Sequence, residues 1–187
     1  IRIGDRCLVR ADFHPSENIE YELVINPKMS FGTGHHETTQ LMISFLLDIN
    51  FEQKFVLDMG TGTGVLAILA EKKGAKDLMA VDNNLWCIEN TKENIGLNDC
   101  QNITALLSDK VPLAGCYDFI FANINRNVLL NQIEDYAQVL STRGNLLMSG
   151  FYFEDFEMIR DKCESLGFRF IRNFEKNKWV ATQFTMT

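Results

Sequence analysis

Val56-Leu57-Asp58-Met59-Gly60-Thr61-Gly62-Thr63-Gly64 is the stretch that decides the fold. Apolar residues ending in an acid read as a buried strand, three glycines follow at alternate positions, and Val65-Leu66-Ala67-Ile68-Leu69-Ala70 opens a helix. Glycine lacks a Cβ, so it turns at positive φ and lets a ligand lie directly on the backbone. Strand, glycine turn and helix in this order point to a small molecule bound at the turn.

The same alternation continues on the C-terminal side. Strands are expected at residues 55–57, 78–81, 103–107, 119–122 and 146–148. Helices are expected at 65–73, from Leu85 through Ile88 and Ile95 to Gly96, at 128–140 and at 153–166. Leu129, Ile133, Tyr136 and Leu140 share one side of the third of these. Residues 168–174 and 179–184, joined by Glu175-Lys176-Asn177-Lys178, read as a β-hairpin. The fold class is therefore α/β, a mostly parallel twisted sheet with helices on both faces and a C-terminal antiparallel hairpin, with ligands at the carboxyl ends of the strands.

Upstream of the turn, residues 11–19 are turn-rich and 21–25 suit an edge strand, so the opening reads as an entry ribbon. Asn26-Pro27-Lys28-Met29-Ser30-Phe31-Gly32-Thr33-Gly34-His35-His36-Glu37-Thr38-Thr39 reads as a loop followed by a helix, which carries Leu41, Phe45 and Leu46 and ends near Asn50. The chain starts without methionine and in mid-pattern, as expected of a piece of a longer protein.

With 187 residues, 46% of them hydrophobic, the chain can bury one substantial core. No run approaches the roughly 18 apolar residues that suggest a membrane span, so a soluble, cytoplasmic protein is expected and no membrane partner. The net charge of −7 lacks the basic footprint of nucleic-acid binding, and none is expected. Five scattered cysteines show no C-x-x-C pair or zinc spacing. His35 and His36 are sequence neighbours that do not share a helix face, and no metal is expected there.

Asp58 and Asp82 end successive strands 24 residues apart, which sets both carboxylates at the ligand edge. An acid there can accept hydrogen bonds from both hydroxyls of a ribose. Gly62-Thr63-Gly64-Val65-Leu66-Ala67 also fits the G-x-G-x-x-G/A spacing of dinucleotide folds, with Asp82 20 residues on, so the motif alone leaves an NAD-dependent oxidoreductase open. Two features favour S-adenosylmethionine: an acid at Asp58, which would repel a pyrophosphate and attract a cationic amino or sulfonium group, and the closing hairpin. Asn123, after Phe119-Ile120-Phe121-Ala122, could hold an amine beside a methyl donor or cap the helix near Arg126. Asp109 could meet an adenine amino group or serve a Ser108-Asp109 turn.

These residues resemble the class I S-adenosylmethionine-dependent methyltransferases, a Rossmann-like fold, and within them the PrmA family. The resemblance runs from about Asn26 to the C-terminus and rests on Asn26-Pro27, Phe31-Gly32-Thr33-Gly34-His35-His36-Glu37-Thr38-Thr39, the 58–64 turn, Asp82 and Ala122-Asn123-Ile124. It implies cofactor contacts at Thr39, Gly60, Asp82 and Asn123. Phe31, Asp58 and Gly62 join that expected set, and Asn123 is also the expected catalytic residue, beside the reacting groups. It implies S-adenosyl-L-methionine as cofactor and lysine and N-terminal amines of a large-subunit ribosomal protein as methyl acceptors. It further implies residues 1–25 as the end of a linker from an N-terminal substrate-recognition domain and 26–187 as the catalytic domain. Asn125 departs from the Asn-Ile-Leu that the family often has after the fourth strand. A methyltransferase-fold binding domain without activity is the non-enzymatic alternative.

Overall fold

The computed structural model describes residues 1–26, 28 and 32–187. A seven-stranded sheet forms the frame, built from β4 (Phe55–Met59), β5 (Asp77–Asp82), β6 (Ile103–Leu107), β7 (Tyr117–Asn123), β8 (Leu140–Tyr152), β9 (Phe168–Lys176) and β10 (Trp179–Met186) in the order β6-β5-β4-β7-β8-β10-β9. β4 to β8 are parallel, whereas β10 runs antiparallel to both β8 and β9. Strand order reverses between β4 and β7, so the crevice at their carboxyl ends is the expected ligand position in such a sheet.

The helices are α1 (Glu37–Leu47), α2 (Val65–Lys72), α3 (Leu85–Leu97), α4 (Arg126–Val139) and α5 (Phe156–Ser165). Side-chain alternation along the strands divides the core. Val56, Ala80 and Phe121 meet the buried faces of α1 and α2, while Leu57, Val81 and Ile120 meet those of α4 and α5. Start signals are local: His36, Asn84 and Asn125 accept hydrogen bonds from Thr38, Trp86 and Val128 N–H and cap α1, α3 and α4. Among the described residues no helix is long and apolar enough to cross a membrane.

Residues 108–116 join β6 to β7 without a helix, in line with the expected helices. Several expectations need correction. β8 is much longer than residues 146–148, because α4 passes into it directly at Leu140. Its pairing with β7 skips between Leu140 and Asn145, where Arg143 sits at φ 63°. The hairpin is tighter than expected: Asn177 and Lys178, at φ 51° and 69°, form a two-residue loop of the kind that matches strand twist. Its tip is fastened to α1 by Lys176 Nζ on Gln40 Oε1 (2.6 Å) and Asn177 Nδ2 on Glu37 Oε1 (3.1 Å).

The opening residues are also more than a ribbon. β1 (Arg2–Ile3), β2 (Cys7–Arg10) and β3 (Tyr21–Val24) form a separate small sheet, with β3 at its edge and parallel to β2. Its inner residues Cys7, Val9 and Leu23 are buried in the same cluster as α1 and α2.

Candidate active site

The turn after β4 is fixed by its own backbone. Gly60, Gly62 and Gly64 lie at φ 69°, 58° and 82°, the left-handed region that side chains resist. Gly60 and Thr61 N–H both donate to Val81 O (2.8 and 3.0 Å), which hangs the turn on β5. A Cβ on Gly60 would lie 2.1 Å from Ile124 Cγ2, so the absence of a side chain also lets the segment after β7 approach.

Asp82 completes the frame. Its Oδ2 accepts from Gly62 N–H and its Oδ1 from Asn84 N–H, both at 3.0 Å. Each oxygen keeps a second lone pair. A cavity of about 400 Å³ opens over these groups, lined among others by Gly60, Gly62, Asp82, Asp109, Asn123 and Gln132. That volume suits a nucleoside-sized ligand. Asp109 stands in the cavity wall and belongs to a turn as well, since Ser108 Oγ accepts from Lys110 N–H at 3.0 Å.

Asp58 is placed differently from Asp82. It points to the α2 face of the sheet, is 1% exposed, and is not among the cavity-lining residues. Its Oδ2 accepts from Thr61 Oγ1 at 2.7 Å. The α2 N-terminus has only Gly64 as its cap and no capping side chain, and the Ala67 amide reaches the Asp58 carboxylate. Burial pushes this carboxyl up to about 7 despite the Thr61 hydroxyl, and the charge of Asp82 adds to the rise. A folded-state value above the usual ~3.9 means that Asp58 contributes stability when protonated, in full below about pH 4. That contribution is lost as pH rises through about 7. Asp58→Asn should remove this dependence, so thermal melts of variant and parent over that pH range should show the variant gaining on the parent as pH rises. A constant difference would rule out the burial argument.

Asn123 ends β7 beside Ser149 of β8. It does not cap α4; Asn125 does. Asn123 Nδ2 lies 3.5 Å from the hydroxyl of fully buried Thr39, whereas Asn123 Oδ1 is buried with no hydrogen-bond partner among the described residues. A buried carbonyl oxygen without a donor costs about 1–3 kcal/mol, so it marks a place where a donor fits. Asn123 also lines a second, smaller opening of about 230 Å³ together with His36, Thr38, Ile124, Gly150 and Trp179. The carboxamide thus stands between cavity and port.

The sheet therefore brings Gly60, Gly62, Asp82 and Asn123 to one cavity, with Thr39 behind Asn123 and Asp58 beneath the turn. Phe31 lies outside the described residues. His35 is exposed, and His36 packs edge-on against Trp179 (4.8 Å between ring centroids) besides capping α1. Two contributors escaped the sequence reading. Trp179, also in contact with Tyr152 (4.1 Å), is brought to the port by the hairpin. Gly150 admits Ile124: a Cβ there would meet Ile124 O at 2.2 Å.

Comparison with known proteins agrees with this architecture. The family model described as "Ribosomal protein L11 methyltransferase (PrmA)" matches residues 1–187. The chain is 50% identical over 188 residues to a ribosomal protein L11 methyltransferase of Porphyromonas gingivalis, covering 99% of this chain and 65% of that protein. It is 49% identical to that of Phocaeicola vulgatus, covering 100% and 67%. The chain thus spans about two thirds of the length of these relatives. Among solved structures, the ribosomal protein L11 methylase of Lactobacillus delbrueckii subsp. bulgaricus superposes with TM-score 0.90 at 26% identity, covering 100% of this chain and 98% of that one.

Proposed function

Because the chain belongs to the ribosomal protein L11 methyltransferase (PrmA) family, we propose that it is the S-adenosylmethionine-binding catalytic part of a protein methyltransferase. Its substrate is a large-subunit ribosomal protein, L11, methylated on lysine side chains and the N-terminal amine in the cytoplasm. Residues 1–25 lead from a substrate-recognition domain, and 26–187 carry the chemistry.

When bound, the cofactor supplies a methyl group made electrophilic by a sulfonium. Asp82 receives ribose hydroxyls on the lone pairs its two backbone donors leave free. The glycine turn offers bare backbone to the rest of the nucleoside. The buried Asn123 Oδ1, without a donor among the described residues, is the observation that carries the proposal: it takes an N–H of the acceptor amine, while Thr39 holds the other end of the carboxamide. So held, a neutral amine keeps its lone pair for the methyl. Lysine ordinarily ionises near 10.4, and its proton is lost to water before attack. The chain's contribution is orientation, and orientation alone can account for a large share of a barrier.

The test is mass spectrometry of ribosomal protein L11 after incubation with S-adenosylmethionine and the full-length protein. Methyl additions on amines are expected, and they should disappear with Asn123→Ala. A full-length protein that binds S-adenosylhomocysteine without methylating L11 would reduce the chain to a binding domain.

A further inference from the structure

α3 carries Asn90 and Asn94 and closes on its C-terminal cap Asn98, the three at intervals of four along one side, and all three are buried. Buried carboxamides need partners, and apart from Asn90 Oδ1, which has none among the described residues, these find them chiefly on the outer edge of β3 and the residues just after it. Asn98 accepts from Val24 N–H (3.0 Å) and donates to Val24 O (2.7 Å). Asn94 accepts from Asn26 N–H (3.0 Å), and Asn90 donates to Asn26 O (3.2 Å). The side chains of a helix thus pair alternate residues of an extended segment, as a neighbouring strand would.

Asn94 does something more. Its Nδ2 donates to Thr63 O at 2.8 Å, in the glycine turn itself. The hydroxyl of Thr63 in turn donates to Gly32 O at 2.8 Å, and Thr91 Oγ1 donates to Gly62 O at 3.0 Å. Asn26 and Gly32 are therefore fastened to opposite sides of one buried residue, Thr63.

We propose that Asn94 and Thr63 are positioning residues that hold Asn26, Gly32 and the cofactor-binding turn in one fixed relation, so that cofactor affinity depends on two side chains outside the cavity wall. The affinity arm rests on the methyltransferase reading; the clamp itself does not. Losing one such hydrogen-bonded link is expected to weaken S-adenosylhomocysteine binding about five- to tenfold.

Asn94→Leu removes both links of that carboxamide with a side chain of the same branching, and Thr63→Val removes only the hydroxyl to Gly32. Calorimetric titration of each with S-adenosylhomocysteine should show this loss. Ile159→Val, which loosens the core beneath α5, should lower the melting temperature without changing affinity. If Asn94→Leu does not fold, Thr63→Val carries the test. Parent-like affinity in a folded Asn94→Leu or Thr63→Val overturns the proposal. If the parent itself binds no S-adenosylhomocysteine, the methyltransferase reading fails, and amide hydrogen exchange decides the clamp. Exchange at Gly62 and Gly64 should then be faster in Asn94→Leu than in the parent while β10 is unchanged, and equal exchange overturns the proposal.

Discussion

Asp82→Asn should weaken binding of S-adenosylhomocysteine by about 30- to 1000-fold. Both Asp82 oxygens already accept a backbone N–H, one from Gly62 and one from Asn84. An asparagine has a single oxygen, so its NH₂ must face one of those donors whichever way it is turned. The variant therefore strains the glycine turn and also loses a charged acceptor for a ribose hydroxyl. Hydrogen bonds to a charged group contribute about 1.5–3 kcal/mol each, and one such loss plus an opposed donor pair amounts to about 2–4 kcal/mol. Calorimetric titration gives the affinity. Undiminished binding would show that the cofactor does not rest on this carboxylate.

Gly150→Ala should cause the largest loss of stability among single substitutions at the site, about 2–5 kcal/mol. Gly150 sits at φ 97°, where a side chain costs about 1–2 kcal/mol. The added Cβ would lie 2.2, 2.7 and 3.0 Å from Ile124 O, C and N. These are backbone atoms and cannot swing away, so overpacking adds about 1–3 kcal/mol. The chain can relieve the clash only by moving residues 124–125, which line both cavity and port. Methyl transfer by the full-length protein should fall with the melting temperature. A variant that melts like the parent would contradict the close approach of β8 to Ile124.

The most specific parts of the site were those whose chemistry is local in sequence. The glycines between Asp58 and Gly64 announce their turn because only glycine adopts it cheaply, and Asp82 follows at the interval of one strand-helix-strand unit. The hairpin was legible from two β-rich runs, although its tight loop at Asn177 and Lys178 was not. Other features depend on what tertiary packing does. Asp58 and Asp82 both end strands, yet the two-residue period of β4 sends Asp58 under α2, so its influence on the site passes through Thr61 and the helix N-terminus. The start of β8 was not legible, because its pairing with β7 skips between Leu140 and Asn145 around Arg143 at φ 63°, an irregularity in a long strand. Asn90, Asn94 and Asn98 look like a solvated helix face until β3 is laid along them. Trp179 gave no signal, because its place beside His36 and Asn123 depends on the hairpin folding back onto α1.

A side-by-side calorimetric titration of this chain with S-adenosylhomocysteine and with NAD tests the cofactor assignment most directly. One S-adenosylhomocysteine should bind per chain and NAD should not compete for the site. Binding of NAD in its place, or no binding of S-adenosylhomocysteine to the folded protein, would contradict the methyltransferase assignment.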